Sequence, residues 1–246
     1  MKIKMSNKIA LFSDVHSNIA ALEAVFEDIK FRNIEEIYCL GDLVGYSPFP
    51  DAVIELIQKS RIPVIIGNHD EMIAFSEDNY GKKYIPEQYK SSGDQAVDWT
   101  IYNTKKENKE FLKTLHKELE IKLDNYKILL VHGSPNSNNE YLFTNRTEEF
   151  LEDLLIKACV DVIIIGHTHI PYHRILSNNK HAINTGSVGK PHDGDPGASY
   201  VILEVIDKVL NVKLIKVPYD FESTAKAIEN SDLPSSIAEI IRTGKK

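Results

Sequence analysis

Five short clusters in the 246-residue sequence carry side chains of the kind that bind metal ions and move protons: Ser13-Asp14-Val15-His16-Ser17, Gly41-Asp42-Leu43-Val44-Gly45, Gly67-Asn68-His69-Asp70, His132-Gly133-Ser134-Pro135 and Gly166-His167-Thr168-His169. Asp14 and His16 stand two apart after an apolar run, where the strand period of two would send both side chains to one side, and His167 and His169 repeat the device. Asp42 follows a glycine, which lets the backbone turn sharply and leaves a carboxylate free to bridge two cations. Asn68 adds a neutral amide oxygen and His132 a further imidazole nitrogen. These four His, two Asp and one Asn are enough donors for two divalent metal ions that keep open positions. Mixed imidazole and oxygen ligands suit Mn first, or Fe, Zn, Ni or Co, better than they suit Mg or Ca. Two such ions about 3.5–4 Å apart would acidify a bridging water and hold the oxygens of a phosphoryl group for in-line attack by hydroxide. His69, directly after Asn68, is placed to give a proton to the leaving alkoxide, with Asp70 or another carboxylate holding its tautomer. Each cluster alone also reads as turn or cap chemistry, Gly-Asn-His-Asp being a ready helix N-terminus. Their joint occurrence, each after a predicted strand, selects the metal reading.

Residues scattered from 14 to 169 can meet only if the fold gathers them, and an open α/β sheet does so at the carboxyl ends of its strands. The first third alternates short β-branched runs with amphipathic stretches, the pattern of βαβ units. Strands are predicted at 8–13, 36–40 and 62–66, with a helix over 19–30 capped by Asn18 and another near 51–59. Residues 71–118 change character and read as a helical insert with aromatics Tyr80, Tyr84, Tyr89, Trp99 and Tyr102. Those rings could stack on a nucleobase, with Lys82, Lys83 or Lys90 on distal phosphates, or Trp99 and Tyr102 could be the core of a helix pair. A hairpin about Asp124-Asn125, a helix at 147–158, a buried strand at 162–165 and strands at 172–176, 181–184, 199–206 and 209–217 follow, then two terminal helices. No repeat or linker divides the chain, so residues 1–246 read as one domain.

The composition, 42% hydrophobic and 26% charged with a net charge of −7, excludes collagenous, disordered and disulfide-scaffold classes. An acidic chain is ill suited to long nucleic acid or an anionic membrane, whose binding rests on clustered Lys and Arg. It is compatible with one small phosphate ester or nucleotide held over an electropositive metal floor. Cys39 and Cys159 lie in apolar contexts and read as two buried, reduced thiols. The apolar run before Asp14 is too short for a signal-peptide core and no run reaches membrane-spanning length, so a soluble cytoplasmic protein is expected.

In their order, SDVH, GDLVG, GNHD, VHGSP and GHTHIP resemble the motif set of the calcineurin-like metallophosphoesterase superfamily, over roughly residues 8–206. The resemblance is strongest to its compact prokaryotic phosphodiesterases. It implies an α/β fold, a four-layer α/β/β/α sandwich with two mixed β-sheets and a dinuclear metal site at one edge. By the family's motifs Asp14, His16 and His169 would hold one ion and Asn68, His132 and His167 the other, with Asp42 bridging and His69 as general acid. Thr185-Gly186-Ser187-Val188-Gly189 resembles a loop of the compact members, either a tight turn below the site or a holder of anions.

One departure bears on substrate. The Ser/Thr protein phosphatases of this superfamily follow the bridging aspartate with an Asp-Arg-Gly that sets an arginine on the phosphate, whereas residues 41–48 here contain no arginine. A bidentate guanidinium favours a doubly charged monoester, so its absence points to diesters, unless Arg146 or Arg174 substitutes. Tyr46 would line the pocket or pack beside Pro48. A phosphomonoesterase, including a protein Ser/Thr phosphatase, and a dinucleoside polyphosphate hydrolase are the alternatives. A scaffold with a decayed site is disfavoured because every motif residue is present, and an apolar face on the insert would be one route to a homodimer.

Overall fold

The computed structural model describes residues 7–76 and 90–246. The first half runs β1 (Lys8–Phe12), α1 (Ile19–Phe31), β2 (Glu36–Cys39), α2 (Pro50–Ser60), α3 (Asn68–Ala74), α4 (Ser92–Asn103) and α5 (Lys106–Lys113). A hairpin of β3 (Glu118–Leu123) and β4 (Tyr126–Val131) leads to α6 (Glu148–Lys157), β5 (Val162–Ile165), β6 (Tyr172–Ile175) and β7 (His181–Asn184). A second hairpin, β8 (Ala198–Ile206) and β9 (Val209–Val217), precedes α7 (Phe221–Glu229) and α8 (Ser236–Thr243).

Every residue of β1 after Lys8 is buried, with Ile9 and Leu11 facing one way and Ala10 and Phe12 the other, so the strand must lie in a sheet covered on both faces. That sheet has the order β2-β1-β8-β9, with β1 parallel to β2 and antiparallel to β8. The second sheet, β3-β4-β5-β7-β6, is also mixed, its central β4, β5 and β7 being parallel. Ile9, Leu11 and Val201 of the first sheet meet Leu130, Ile164 and Ile183 of the second in one apolar layer. Burying each such side chain contributes roughly 1.5–3 kcal/mol. Leu22 and Val25 of α1 and Ile54 of α2 cover the outer face of the first sheet, and Leu151 and Leu155 of α6 cover that of the second. The result is the expected four-layer α/β/β/α sandwich.

Asn18 caps α1 as expected, its side chain accepting the Ala21 N–H at 3.2 Å. The 62–66 run differs from expectation: it forms only isolated bridges, Val64 to Cys39 and Ile65 to His116. Pro63 has no N–H to donate, so the segment extends beside β2 without a full ladder. Cys39 is buried, but Cys159 is exposed. It occupies a left-handed position with φ +55° just past α6, which turns its side chain outward. In the expected insert, Trp99 packs against a cluster of Ala96 with Ala225, Ile228 and Ile237 of the terminal helices, whereas Tyr102 is exposed. Tyr80, Tyr84, Tyr89, Lys82 and Lys83 lie outside the described residues, and Lys90 pairs with Asp98 at 2.7 Å. No described helix is long and apolar enough to cross a membrane.

Candidate active site

The carboxyl ends of β1, β2, β4 and β5 open on one edge of the two sheets. Backbone bonds hold the turns there together: Asp14 N–H to Gly41 O at 2.9 Å, His16 N–H to Asp42 O at 2.9 Å and Gly166 N–H to His132 O at 2.9 Å. The expected strand-period projection of Asp14 with His16, and of His167 with His169, is replaced by tighter geometry. β1 ends at Phe12 and β5 at Ile165, and all four residues, with Asp42, adopt left-handed backbone with φ between +48° and +63°. Each non-glycine residue in that region costs on the order of 1 kcal/mol, and five at one edge mark a place where the fold maintains strain for a purpose. Gly67 is required here, since a Cβ on it would overlap the carboxylate and backbone of Asp42.

All seven expected ligands are buried and converge. His16 Nδ1 lies 3.2 Å from Val44 O, His132 Nδ1 2.8 Å from Leu40 O and His169 Nδ1 2.6 Å from Lys190 O. A carbonyl can only accept, so each Nδ1 carries a proton and each Nε2 is aimed inward, the arrangement seen around metal-binding histidines. His16 Nε2 and His169 Nε2 then face each other at 3.0 Å, and His169 Nε2 is 3.3 Å from Asp14 Oδ1. His132 Nε2 is 3.0 Å from Asn68 Oδ1 and 3.4 Å from Asp42 Oδ2. Donors bound to one ion at about 2.1 Å stand about 3.0–3.4 Å apart, which is this spacing. Asp14 Oδ1 and His167 Nε2 are buried with no hydrogen-bond partner, as unfilled ligand atoms would be. The residues fit divalent cations, in clusters Asp14–His16–His169 and Asp42–His132–His167, with a third grouping of His16, Asp42 and His69.

The electrostatics favour ionised carboxylates. Burial pushes the Asp14 and Asp42 carboxyls up, but the facing His169 and His132 outweigh it and hold both well below the usual range. Burial drives His16 far down and His167 to about 4, whereas His132 is raised to about 10 because the Asp42 and Asp14 charges overcome its burial.

His69 is buried, lines a cleft of about 210 Å³ and leaves Nδ1 without a partner. Asp70 does not hold it. Asp70 Oδ1 accepts from Leu43 N–H at 2.8 Å and Val44 N–H at 3.2 Å, and Oδ2 accepts from Gly67 N–H at 3.0 Å. The expected tautomer-holding role is corrected to one of pinning the 42–45 turn to the start of α3, because side chains of successive helical residues diverge by about 100°. Asn68 is likewise the first residue of α3, and Gly67 occupies the cap position. Tyr46 lines the cleft, its ring centroid 4.9 Å from that of His16 and 4.8 Å from that of His69. Arg146 and Arg174 do not substitute for the absent arginine: they are turned to backbone carbonyls, Arg146 to Tyr141 O and Arg174 to Thr144 O.

The cleft also holds residues that sequence reasoning missed. Tyr141 stacks on His167 with centroids 4.0 Å apart, and Phe143 stacks on Tyr141 at 5.5 Å. Lys190 and His192 also line the cleft. All four sit in irregular segments where no periodicity marks them, although the position of Lys190 directly after Gly189 was a usable signal.

Residues 8–208 match the calcineurin-like phosphoesterase superfamily domain. An uncharacterised protein of Methanocaldococcus jannaschii is 33% identical over 258 aligned positions, covering 98% of this chain and 100% of that relative. The crystal structure of a metallophosphoesterase from Sphaerobacter thermophilus is similar at 28% identity and a TM-score of 0.76, over 97% of this chain and 99% of that one. A hypothetical protein from Pyrococcus horikoshii is similar at 25% identity and a TM-score of 0.85, over the same shares of 97% and 99%.

Proposed function

The chain belongs to the calcineurin-like phosphoesterase superfamily, whose members hydrolyse phosphate esters, and on that premise we propose that it is a phosphodiesterase that uses two divalent metal ions and acts on a small organic or nucleotide diester. The observation that carries this reading is the convergence of seven buried donor residues beside a buried His69 whose Nδ1 has no hydrogen-bond partner. Asp14, His16 and His169 would hold one ion, and Asn68, His132 and His167 the second, with the Asp42 carboxylate shared between them; manganese is the first choice for this donor set. When bound, the ions supply an acidified water and charge stabilisation for the phosphoryl oxygens.

The chain's own residues do the rest. Three carbonyls fix the histidine tautomers, and Asp42 Oδ1 accepts the His69 N–H at 2.8 Å, so the acid is registered to the ligand shell. His69 gives a proton to the departing ester oxygen. Tyr46 closes the cleft above His16 and His69 and limits water access. The preference for diesters rests on the absence of arginine from the described residues lining the cleft. The test compares bis(4-nitrophenyl) phosphate with 4-nitrophenyl phosphate on manganese-loaded protein. A higher kcat/KM for the diester is expected; a higher value for the monoester overturns the diester preference, and no turnover of either overturns the enzymatic reading.

A further inference from the structure

The loop Thr185–Lys190 follows β7 and runs beneath the expected ligands. Between a tight turn and an anion holder, its backbone donors decide for the turn. The N–H groups of Gly186, Val188, Gly189 and Lys190 are spent on Asn184 Oδ1 at 2.9 Å, Ser13 O at 3.0 Å, Asp14 O at 2.9 Å and Ser187 Oγ at 2.9 Å. Ser187 Oγ in turn donates to Asp14 O at 2.8 Å, and a Cβ on Gly189 would overlap the Val15 carbonyl. The loop is clamped to the turn that carries Asp14 and has no free nest of donors for an anion.

What the clamp positions is the next side chain. Lys190 is only 6% exposed and reaches the cleft. Its Nζ donates to His192 Nε2 at 3.0 Å and lies 4.1 Å from the centre of the Tyr46 ring. His192 stacks on the ligand His169 at 4.5 Å, and Tyr46 leans on His69, so the ammonium stands over the wall between a metal ligand and the acid. Among the described residues no carboxylate lies within ion-pair distance of it, whereas Lys157, Lys180 and Lys216 each have one. A buried ammonium with an imidazole and an aromatic face for partners retains N–H donors, and with Lys246 lining the same cleft the group that satisfies those donors is an anion.

We propose that Lys190 is the residue that recognises the substrate phosphate, its ammonium donating to a non-bridging oxygen of the ester held in the cleft. The proposal rests on the phosphoesterase reading above. It accounts for the chain lacking an arginine after Asp42, since an ammonium on the cleft wall supplies the cationic contact as a point charge in place of a bidentate guanidinium.

The test uses manganese-loaded protein, inorganic phosphate as the binding probe and the two nitrophenyl esters. Lys190→Met should keep its metal content and unfolding midpoint, weaken phosphate binding measured by calorimetry roughly 10- to 100-fold and raise KM for the diester in step, while Lys190→Arg keeps most of both. Phosphate should also slow reductive methylation of Lys190 in the unaltered holoprotein, read by mass spectrometry, and this measurement stands even if the methionine variant fails to fold. Unchanged phosphate affinity in a folded, metal-replete Lys190→Met, or an unchanged methylation rate, overturns the role of Lys190. Loss of turnover in the unaltered protein would instead overturn the phosphoesterase reading.

Discussion

The Oδ1 of Asp42 accepts the backbone N–H of His69 at 2.8 Å while its Oδ2 faces His132 Nε2 at 3.4 Å and His16 Nε2 at 3.7 Å. One carboxylate thus ties the start of α3 to both groups of His and Asp side chains that could hold metal ions. Asp42→Asn keeps an oxygen for His69 but removes the charge that two cations would share. The expected outcome is a folded protein with its metal content, measured by plasma mass spectrometry, reduced from close to two ions per chain, and with diester turnover lost. Full metal content with retained turnover would refute the bridging role.

His69 belongs to the expected acid role and also to a geometric grouping with His16 and Asp42 that could bind metal. His69→Ala separates these. As an acid, its loss leaves metal content unchanged and lowers kcat by about 10²–10⁴-fold, most severely for alkyl leaving groups that need protonation and least for nitrophenolate. Metal loss in this variant would make His69 a ligand.

That these seven donor residues would come together was legible in the sequence for a physical reason. Asp14, His16, Asp42, Asn68, His132, His167 and His169 each stand within four residues of the end of an apolar run, most of them after a Ser or Gly that turns the chain, and α/β sheets gather such positions at one edge. How the side chains are aimed was not legible, because the left-handed backbone at Asp14, His16 and Asp42, which Asp and His tolerate better than most residues, is selected by contacts between distant turns. The neighbour relation between His69 and Asp70 misled, since a helix starting at Asn68 sends their side chains apart. Tyr141 and Phe143 come from the loop after β4, where neither period nor motif marks a residue as facing a cleft, and Lys190 is marked only by its place directly after Gly189 in the loop that follows β7.

Asp70 satisfies three buried backbone donors, those of Leu43, Val44 and Gly67. Burial and the Asp42 charge raise its pKa to about 7, against those N–H groups, so it serves as an acceptor at some cost. Asp70→Ala should lower unfolding free energy by on the order of 3 kcal/mol, measured by denaturant titration, because the donors lose their partner. Asp70→Asn should be intermediate and leave the pH profile of kcat in its place. A shifted profile with full stability would restore Asp70 to the role of orienting His69.

The far end of the second sheet carries a pH-sensitive pair outside the ligand shell. His173 Nε2 lies 2.9 Å from His181 Nδ1 with the rings stacked at 5.2 Å, so one nitrogen donates and the other must keep its lone pair. Burial, then the neighbouring His181, lowers His173 from 6.5 to about 4, and burial lowers His181. Below-normal folded pKa values mean that the unfolded chain binds more protons in this window. The pair's contribution is therefore complete above pH 6.5 and declines as the pH falls toward about 4. The unfolding midpoint should drop over that range, and His173→Gln should drop less steeply. Both proteins lose any ligand-bound metal alike, so the difference between their two slopes isolates the pair, and parallel slopes would refute its role as a proton-linked element of stability.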